Sequence, residues 1–433
     1  AELSLAGGTA WTKLHQDLTS QLQVTVGHEV LPMPAVRQRA TDPSEDVRKT
    51  AYEAELGAWE KSALPLAAAM NAIKYETGLL SARRGWSSPV EGACFGNYID
   101  EATLYAMLNA AEKSFPHFRR YLKAKAKLLG TEQLPWWNLF APVGKTSQSW
   151  AWPEAEVFIA KSFDQYSQKL GDFAREAFEK RWIDGQLRPG KRDGAFCACP
   201  KDGESRILQN YAPSFDAVST LAHELGHAYH NRCLAGRTSL QSSTPMTLAE
   251  TASIFCQTIV NAAALKSAQG SQERLALLDG VLSDACQVVV DIRGRFRFEQ
   301  TVMEHRKARE LFIPEVNALM LDAQAQTYGD GLITEQRHPY MWAVKGHYYG
   351  STFYNFPYMF GQLFSLGLYA VYQNQPDGFH DRYDALLSRT GMADANTLAS
   401  VFGIDITQES FWAASLDVIR KDIDEFESIV NSQ

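Results

Sequence analysis

The segment His223-Glu224-Leu225-Gly226-His227 constrains this chain more than any other, because its spacing has chemical meaning on a helix. On a 3.6-residue helix, positions 223 and 227 project from one face, a turn apart. Two imidazoles so placed can grip one Zn²⁺ at about 2.0–2.1 Å each. Glu224 stands beside the first and can reach a water on that ion without taking a coordination position. The flanks agree. Ser214-Phe215-Asp216 supplies a helix start, and Ala217, Val218, Leu221, Ala222, Leu225 and Ala228 recur at helical spacing. Gly226 costs a helix about 1 kcal/mol relative to Ala, so another backbone or a substrate is expected to approach this face closely. The bland alternative is an amphipathic helix with two surface histidines. With 10 His in 433 residues, that pattern is uncommon by chance.

A tetrahedral catalytic zinc needs a third protein ligand and an open fourth position. Downstream, Thr244-Pro245-Met246-Thr247 reads as an N-cap with Pro at the first helical position. The helix it opens carries Glu250 among apolar and small residues, where a carboxylate is costly unless paired or bound to metal. Glu250 is assigned as the third ligand. His230 shares the face of His223 but lies two turns along, about 10 Å away. It is read as a supporting or substrate-contacting group, or as a plain core histidine.

The rest of the chain bounds these readings. With 45% hydrophobic residues, 433 residues allow one large domain or two lobes around a cleft. A net charge of −8 argues against nucleic-acid and anionic-membrane partners. No apolar run reaches the roughly 18 residues of a membrane span, and Ala1 to Leu5 shows no signal-peptide character. Six scattered cysteines fit free thiols in a reducing cytoplasm. Cys197 and Cys199 lack zinc-knuckle or thioredoxin spacing, and two thiols on one face of a strand is the favoured reading.

The pattern is mainly α-helical. One helix opens at Asp42-Pro43-Ser44-Glu45 and runs past Met70, with Pro65 expected to kink or interrupt it. Further helices are expected at about 101–129, 153–184, 215–235, 246–267, 272–311, 354–374 and 408–430. Gly190 to Cys197 reads as a glycine-bounded turn entering a strand, and 206–211 as a second strand. A small sheet is therefore expected beside the zinc helix, with an edge to which a peptide could add. The segment His347 to Tyr358 packs one imidazole and four phenols into twelve residues. Such donors could stabilise an oxyanion, or the segment could simply be aromatic packing. Gly346 and Gly350 suggest a flexible or tightly turned start suited to clasping a substrate.

Phe215 to His230 (FDAVSTLAHELGHAYH) resembles the zinc helix of the M3 metallopeptidases, and of the oligoendopeptidase F (PepF) branch in particular. KRDGAFC at 191–197, PMTLAETASIF at 245–255, WWNLFAP at 136–142 and His347 to Tyr358 are similar to further segments of that family. The resemblance implies a two-lobed helical fold with a deep cleft, a small β-sheet next to the zinc helix, and one Zn²⁺ per chain. It implies metalloendopeptidase cleavage of short oligopeptides. It makes His223, His227 and Glu250 ligands and Glu224 the base, with His347, Tyr354 and Tyr358, among the tyrosines of 349–358, as transition-state contacts. Family members usually carry a helical portion ahead of the segment that begins here. The chain is accordingly expected to be one catalytic unit over 1–433. Residues 1–40 would be a remnant of an N-terminal region, and 41–430 a helical core holding the zinc site at 215–255. An N-terminal fragment of the same protein or a second copy could complete the cleft. A cytoplasmic location is expected. Two rivals remain: a zinc carboxypeptidase of a related helical fold, and a non-catalytic peptide-binding protein.

Overall fold

The computed structural model describes residues 2–145, 149–188, 190–191 and 194–433. Arg192 and Asp193, within the turn expected ahead of the sheet, lie outside the described residues. The fold is mostly helical, and among the described residues the buried side chains form two hydrophobic cores.

The smaller core is built on α2 (Glu45–Arg83), against which α1 (Gly8–Ser20) and the hairpin β1 (Gln23–Val26)–β2 (Glu29–Pro32) pack. The hairpin alternates: Val24 and Val26 point into the core while Gln23 and Thr25 face solvent. Gly27, at a φ of 62°, makes the two-residue turn between Val26 and Glu29. α2 begins at Glu45 with Ser44 at its N-cap, two residues later than expected. Asp42 caps the turn before it, its Oδ1 accepting the Ser44 N–H at 2.8 Å. Pro65 does not interrupt α2. An interior proline costs about 3 kcal/mol, but Leu66, Ala67, Ala69 and Met70 immediately after it are buried in the smaller core and hold the helix together.

The larger core gathers α3 (Glu101–Leu128), α4 (Trp152–Tyr166), α5 (Gln168–Glu179) and α6 (Phe215–Cys233), which carries His223 and His227. The single helix expected at 153–184 is two, because Ser167 leaves the helical conformation and its hydroxyl accepts the Leu170 N–H to cap α5. The sheet has the order β3-β5-β4, with β3 (Ile183–Asp184) parallel and β4 (Ala195–Lys201) antiparallel to β5 (Glu204–Gln209). β4 and β5 both lie on α6, and β4 is an edge strand.

The helix expected at 246–267 is broken at Glu250. A short helix, α7 (Met246–Ala249), ends at Glu250, and α8 (Thr251–Ser267) starts afresh beyond it. Two side chains from outside reach the first carbonyl past the break: Ser365 Oγ donates to Thr251 O at 3.0 Å, and so does Tyr383 Oη. Met246–Ser267 is also long and apolar enough by composition to cross a membrane, yet it carries Glu250 and packs between α6 and α13 (Phe356–Asn374).

Two elements join the cores. α9 (Ser271–Cys286) passes through a π turn at Gln287–Asp291 into α10 (Ile292–Arg306). Phe296 of α10 packs in the larger core, and Phe298 and Val302 in the smaller. Likewise Tyr348 and Tyr349 sit in the smaller core, and Phe353, Phe356 and Met359 in the larger. The expected His/Tyr segment is thus the crossing point between lobes. α15 (Glu409–Asn431) closes the larger lobe against α3.

Candidate metal centre

α6 starts as its sequence suggests, with Ser214 Oγ accepting the Ala217 N–H at 3.2 Å. Its buried stripe faces α8, which leaves His223 and His227 one turn apart beside the helix break. The expected close approach at Gly226 is present. A Cβ there would lie 2.5 Å from Ala252 O and 2.6 Å from Ser253 Cα. On the other side, a Cβ at Gly361 of α13 would lie 2.6 Å from Glu250 Cβ. Two glycines therefore let three helices close around one carboxylate.

The donor atoms of His223, His227 and Glu250 lie within 4.8 Å of one another. Glu250 Oε2 is 3.2 Å from His223 Nε2 and 3.4 Å from His227 Nε2. A tetrahedron with bonds of about 2.0–2.1 Å has edges of roughly 3.3–3.4 Å. The donor set and its spacing fit one zinc ion.

The groups behind the donors fix their orientation. His223 Nδ1 donates to Gln257 Oε1 at 3.1 Å, which leaves Nε2 free as a ligand. Gln257 is held in turn by Ser219 Oγ at 3.2 Å, and Ser219 donates to Asn261 at 2.9 Å. Ser253 Oγ donates to Glu250 Oε2 at 2.7 Å. Burial opposes charge on Glu250, but the two imidazoles and Ser253 outweigh it and leave its pKa at about 2. Burial likewise opposes a charged His223, yet Glu250 draws its pKa above the ordinary value. His227 is held down at about 4, mainly by burial.

Glu224 is 5% exposed, and its Oε2 has no hydrogen-bond partner among the described residues. Burial pushes its pKa up to about 7; His223 opposes this and Glu250 adds to it. A buried carboxylate oxygen without a partner is uncommon and calls for an explanation.

A cavity of about 520 Å³ opens from the centre, lined by His223, Glu250, Gln257, Asp284 and Tyr358 among others. Tyr358 and Tyr354 share a hydroxyl–hydroxyl bond of 3.3 Å, and Tyr354 stacks on the His347 ring at 4.6 Å. Tyr354 also lines a second cavity of about 410 Å³ with Asn97, Ser243 and Pro357. The structure thus brings Tyr358 to the metal cavity and joins Tyr354 and His347 to it in series. Tyr349 is not available to a substrate. It is 1% exposed and stacks on His15 at 3.9 Å, because the turn at 347–350 directs it into the smaller core. That turn is helical, and the strained position is not a glycine but Phe353, at a φ of 49°. Its N–H is held by Glu299 Oε1 at 3.1 Å, and Glu299 pairs with Lys74 in a fully buried ion pair.

The residues match the model of peptidase family M3 over 39–418. The chain belongs to family M3. It is 26% identical over 393 residues to the oligoendopeptidase F homolog of Lactococcus lactis, covering 89% of this chain and 64% of that protein. It is 25% identical over 397 residues to the group B oligopeptidase PepB of Streptococcus agalactiae, again covering 89% and 64%. The chain therefore spans under two thirds of the length of these relatives. The solved oligoendopeptidase-F of Enterococcus faecium superposes with a TM-score of 0.77 at 18% identity, over 98% of this chain and 73% of that one. A Chlamydophila abortus protein of known structure does so at 0.86 and 19%, over 98% and 72%.

Other singled-out residues of this M3 chain fall outside the centre. His230 is a core histidine whose Nε2 pairs with Thr390 Oγ1 at 2.8 Å. Cys197 and Cys199 are free thiols on β4, and burial pushes the Cys197 thiol up to about 12, far from a reactive thiolate. Gln257 and Ser253 escaped the sequence reading. Ser253 is three residues after Glu250 and Gln257 seven, so both share its helical face, and that spacing could have found them.

Proposed function

We propose that this chain is the catalytic unit of a zinc-dependent metalloendopeptidase that cleaves short oligopeptides. The observation that carries the reading is the convergence of three ligand-type donors at tetrahedral spacing beside the unpartnered carboxylate of Glu224. His223, His227 and Glu250 would hold one Zn²⁺, which when bound supplies a Lewis acid and makes water nucleophilic near neutral pH. Glu224 accepts the proton of the attacking water and returns it to the leaving amine. Tyr358, in series with Tyr354 and His347, donates toward the oxyanion of the scissile carbonyl. The open edge of β4 beside α6 offers backbone hydrogen bonds that align an extended peptide. The names of the relatives, oligoendopeptidase F and oligopeptidase, agree with short peptides as substrates. Six free cysteines support a cytoplasmic location.

Two variants test the assignment. Glu224→Gln is expected to keep its zinc and lose most turnover, and Glu250→Ala to lose zinc affinity. A Glu224→Gln protein without zinc, or a Glu250→Ala protein with unchanged affinity, reverses these roles. Digestion of a mixed peptide library, read by mass spectrometry, should yield internal cuts. Trimming of single residues from the carboxyl end would replace the endopeptidase reading with a carboxypeptidase.

A further inference from the structure

We infer that the cavity around Lys345, where the two lobes meet, holds the free C-terminal carboxylate of a bound peptide, an inference that rests on the function proposed above. The cavity measures about 70 Å³, and the charged groups on its wall are Arg37, Arg48, Glu55, Asp291 and Lys345. Arg37 pairs with Glu55 at 2.5 Å, and Asp291 pairs with Arg295 of α10. Arg48 donates to Asn138 Oδ1 and to the carbonyls of Asp42 and Pro43, which hold it in place. Lys345 Nζ has neither a hydrogen bond nor an ion pair among the described residues. Other inward lysines differ: Lys74 pairs with Glu299, Lys125 with Asp279 and Lys191 with Asp184. The carboxylates of the cavity are thus taken, and one cation on its wall is left over.

An ammonium drawn out of water without a partner costs free energy. Burial, with Arg295 and Arg37 adding to it, brings the Lys345 pKa down to about 7. An arriving carboxylate offsets that cost with a charge-assisted hydrogen bond, roughly twice as strong as a neutral one. The space suffices: a water needs about 10–15 Å³ of such volume, so about 70 Å³ admits a carboxylate and a water beside it. Trp136, Trp137, Leu139 and Phe140 of the WWNLFAP segment line the same cavity, which gives that segment a place at the site. Gln287 lines both this cavity and the one that opens from His223 and Glu250. A peptide held at the metal centre therefore reaches Lys345 past one side chain. The residues between Lys345 and the scissile bond leave as one fragment, so an end anchored here keeps the cut internal and favours short peptides.

The test uses the intact, zinc-loaded protein and two readouts. The first probe is sodium acetate, compared with sodium chloride at equal ionic strength and below the Lys345 pKa. Acetate is expected to raise the Tm of the parent, and Lys345→Met to abolish the rise. Lys49→Met, a lysine over the Trp137 ring that does not line the cavity, should keep it. The second readout compares matched peptides with a free and an amidated C-terminus. The parent should cleave the free acid with a KM lower by about 10- to 100-fold, and Lys345→Met should cleave both with the same kcat/KM. If Lys345→Met does not fold, Lys345→Gln takes its place in both readouts. An acetate effect equal in parent and variant places acetate elsewhere, on the zinc for instance, and overturns the site. A preference for the free acid that survives the substitution overturns it too. An acetate effect that needs Lys345, with no preference between the two peptides, makes this a site for a free carboxylate and overturns the peptide reading. A parent protein that cleaves no peptide refutes the proposed function, and the acetate readout still judges the site.

Discussion

Gly226→Ala places one methyl group where α6 meets α8, just past Glu250, and its consequences can be worked out from the contact. In an open helix the change gains about 1 kcal/mol. Here the new Cβ would sit 2.5 Å from Ala252 O and 2.6 Å from Ser253 Cα, against an ordinary contact that begins at 3.4 Å. Both neighbours are backbone, so neither can rotate away, and the helices must part by close to 0.9 Å. Overpacking of this kind costs about 1–3 kcal/mol. The net expectation is a loss of roughly 0–2 kcal/mol in the metal-free protein. The larger effect falls on zinc. Ala252 and Ser253 lie two and three residues after Glu250, whereas metal–ligand distances tolerate about ±0.2 Å. A shared displacement near an ångström should weaken zinc binding by about 10–100-fold, the range seen when supporting groups of a metal site are lost. Competition with a chromophoric chelator measures the affinity, and urea unfolding the stability. Gly57→Ala in α2, where a Cβ meets nothing within 4 Å, is the control and should be stabilising. If Gly226→Ala gains stability like the control and binds zinc as tightly as the parent, the close approach is not what shapes the centre.

Two further expectations concern groups around the cavity. Tyr358→Phe preserves packing and removes one donor, so kcat should fall by about 10²–10³ with zinc content and KM little altered; a kcat within twofold of the parent assigns the hydroxyl to packing. Lys345 lines a cavity next to Glu55 and Asp291, and burial, reinforced by Arg295, brings its pKa down to about 7 from 10.5. The unfolded chain keeps that proton up to 10.5, so Lys345 makes the protein gain stability as pH climbs from 7 toward 10.5, with its full penalty below 7. Lys345→Met should flatten that rise in the urea midpoint and lift stability at pH 7; a slope equal to the parent's would show a solvated ammonium.

The site was more legible than the fold around it, for physical reasons. His223, Glu224 and His227 belong to one helix turn, so their relation is fixed by the 3.6-residue period alone. Glu250 was readable because a lone carboxylate among Leu248, Ala249, Ala252 and Ile254 needs a partner. The break at Glu250 was not readable. The segment just past it is contacted by Ser365 and Tyr383, more than a hundred residues away, each of which donates to Thr251 O, and no local spacing announces such partners. The split at Ser167 and the unbroken passage through Pro65 went the same way, each decided by packing or capping over local propensity. Tyr349 and Tyr354 look alike in sequence. Only the crossing of the chain from one core to the other sends the first inward and the second to the cavity.

That crossing also explains why the strained residue lies where it does. The segment from His347 to Tyr358 must leave the smaller core at Tyr349 and enter the larger one at Phe353, within four residues. So short a connection requires a sharp turn, and Phe353 takes the left-handed conformation that glycine would adopt more cheaply. Glu299 holds the turn through the Phe353 N–H, and Lys74, reaching from α2 in the other lobe, neutralises Glu299 where both are 1–2% exposed. Removing either partner would leave an uncompensated buried charge, at about 3–5 kcal/mol. A Phe353→Gly change relaxes the turn but removes a ring that packs on Phe296. Tyr358 at the cavity of the candidate centre, and Tyr354 bonded to it, are therefore held in place by contacts between lobes, so a change that shifts one lobe against the other reaches these two hydroxyls before it reaches His223, His227 and Glu250, which all sit on helices of the larger lobe.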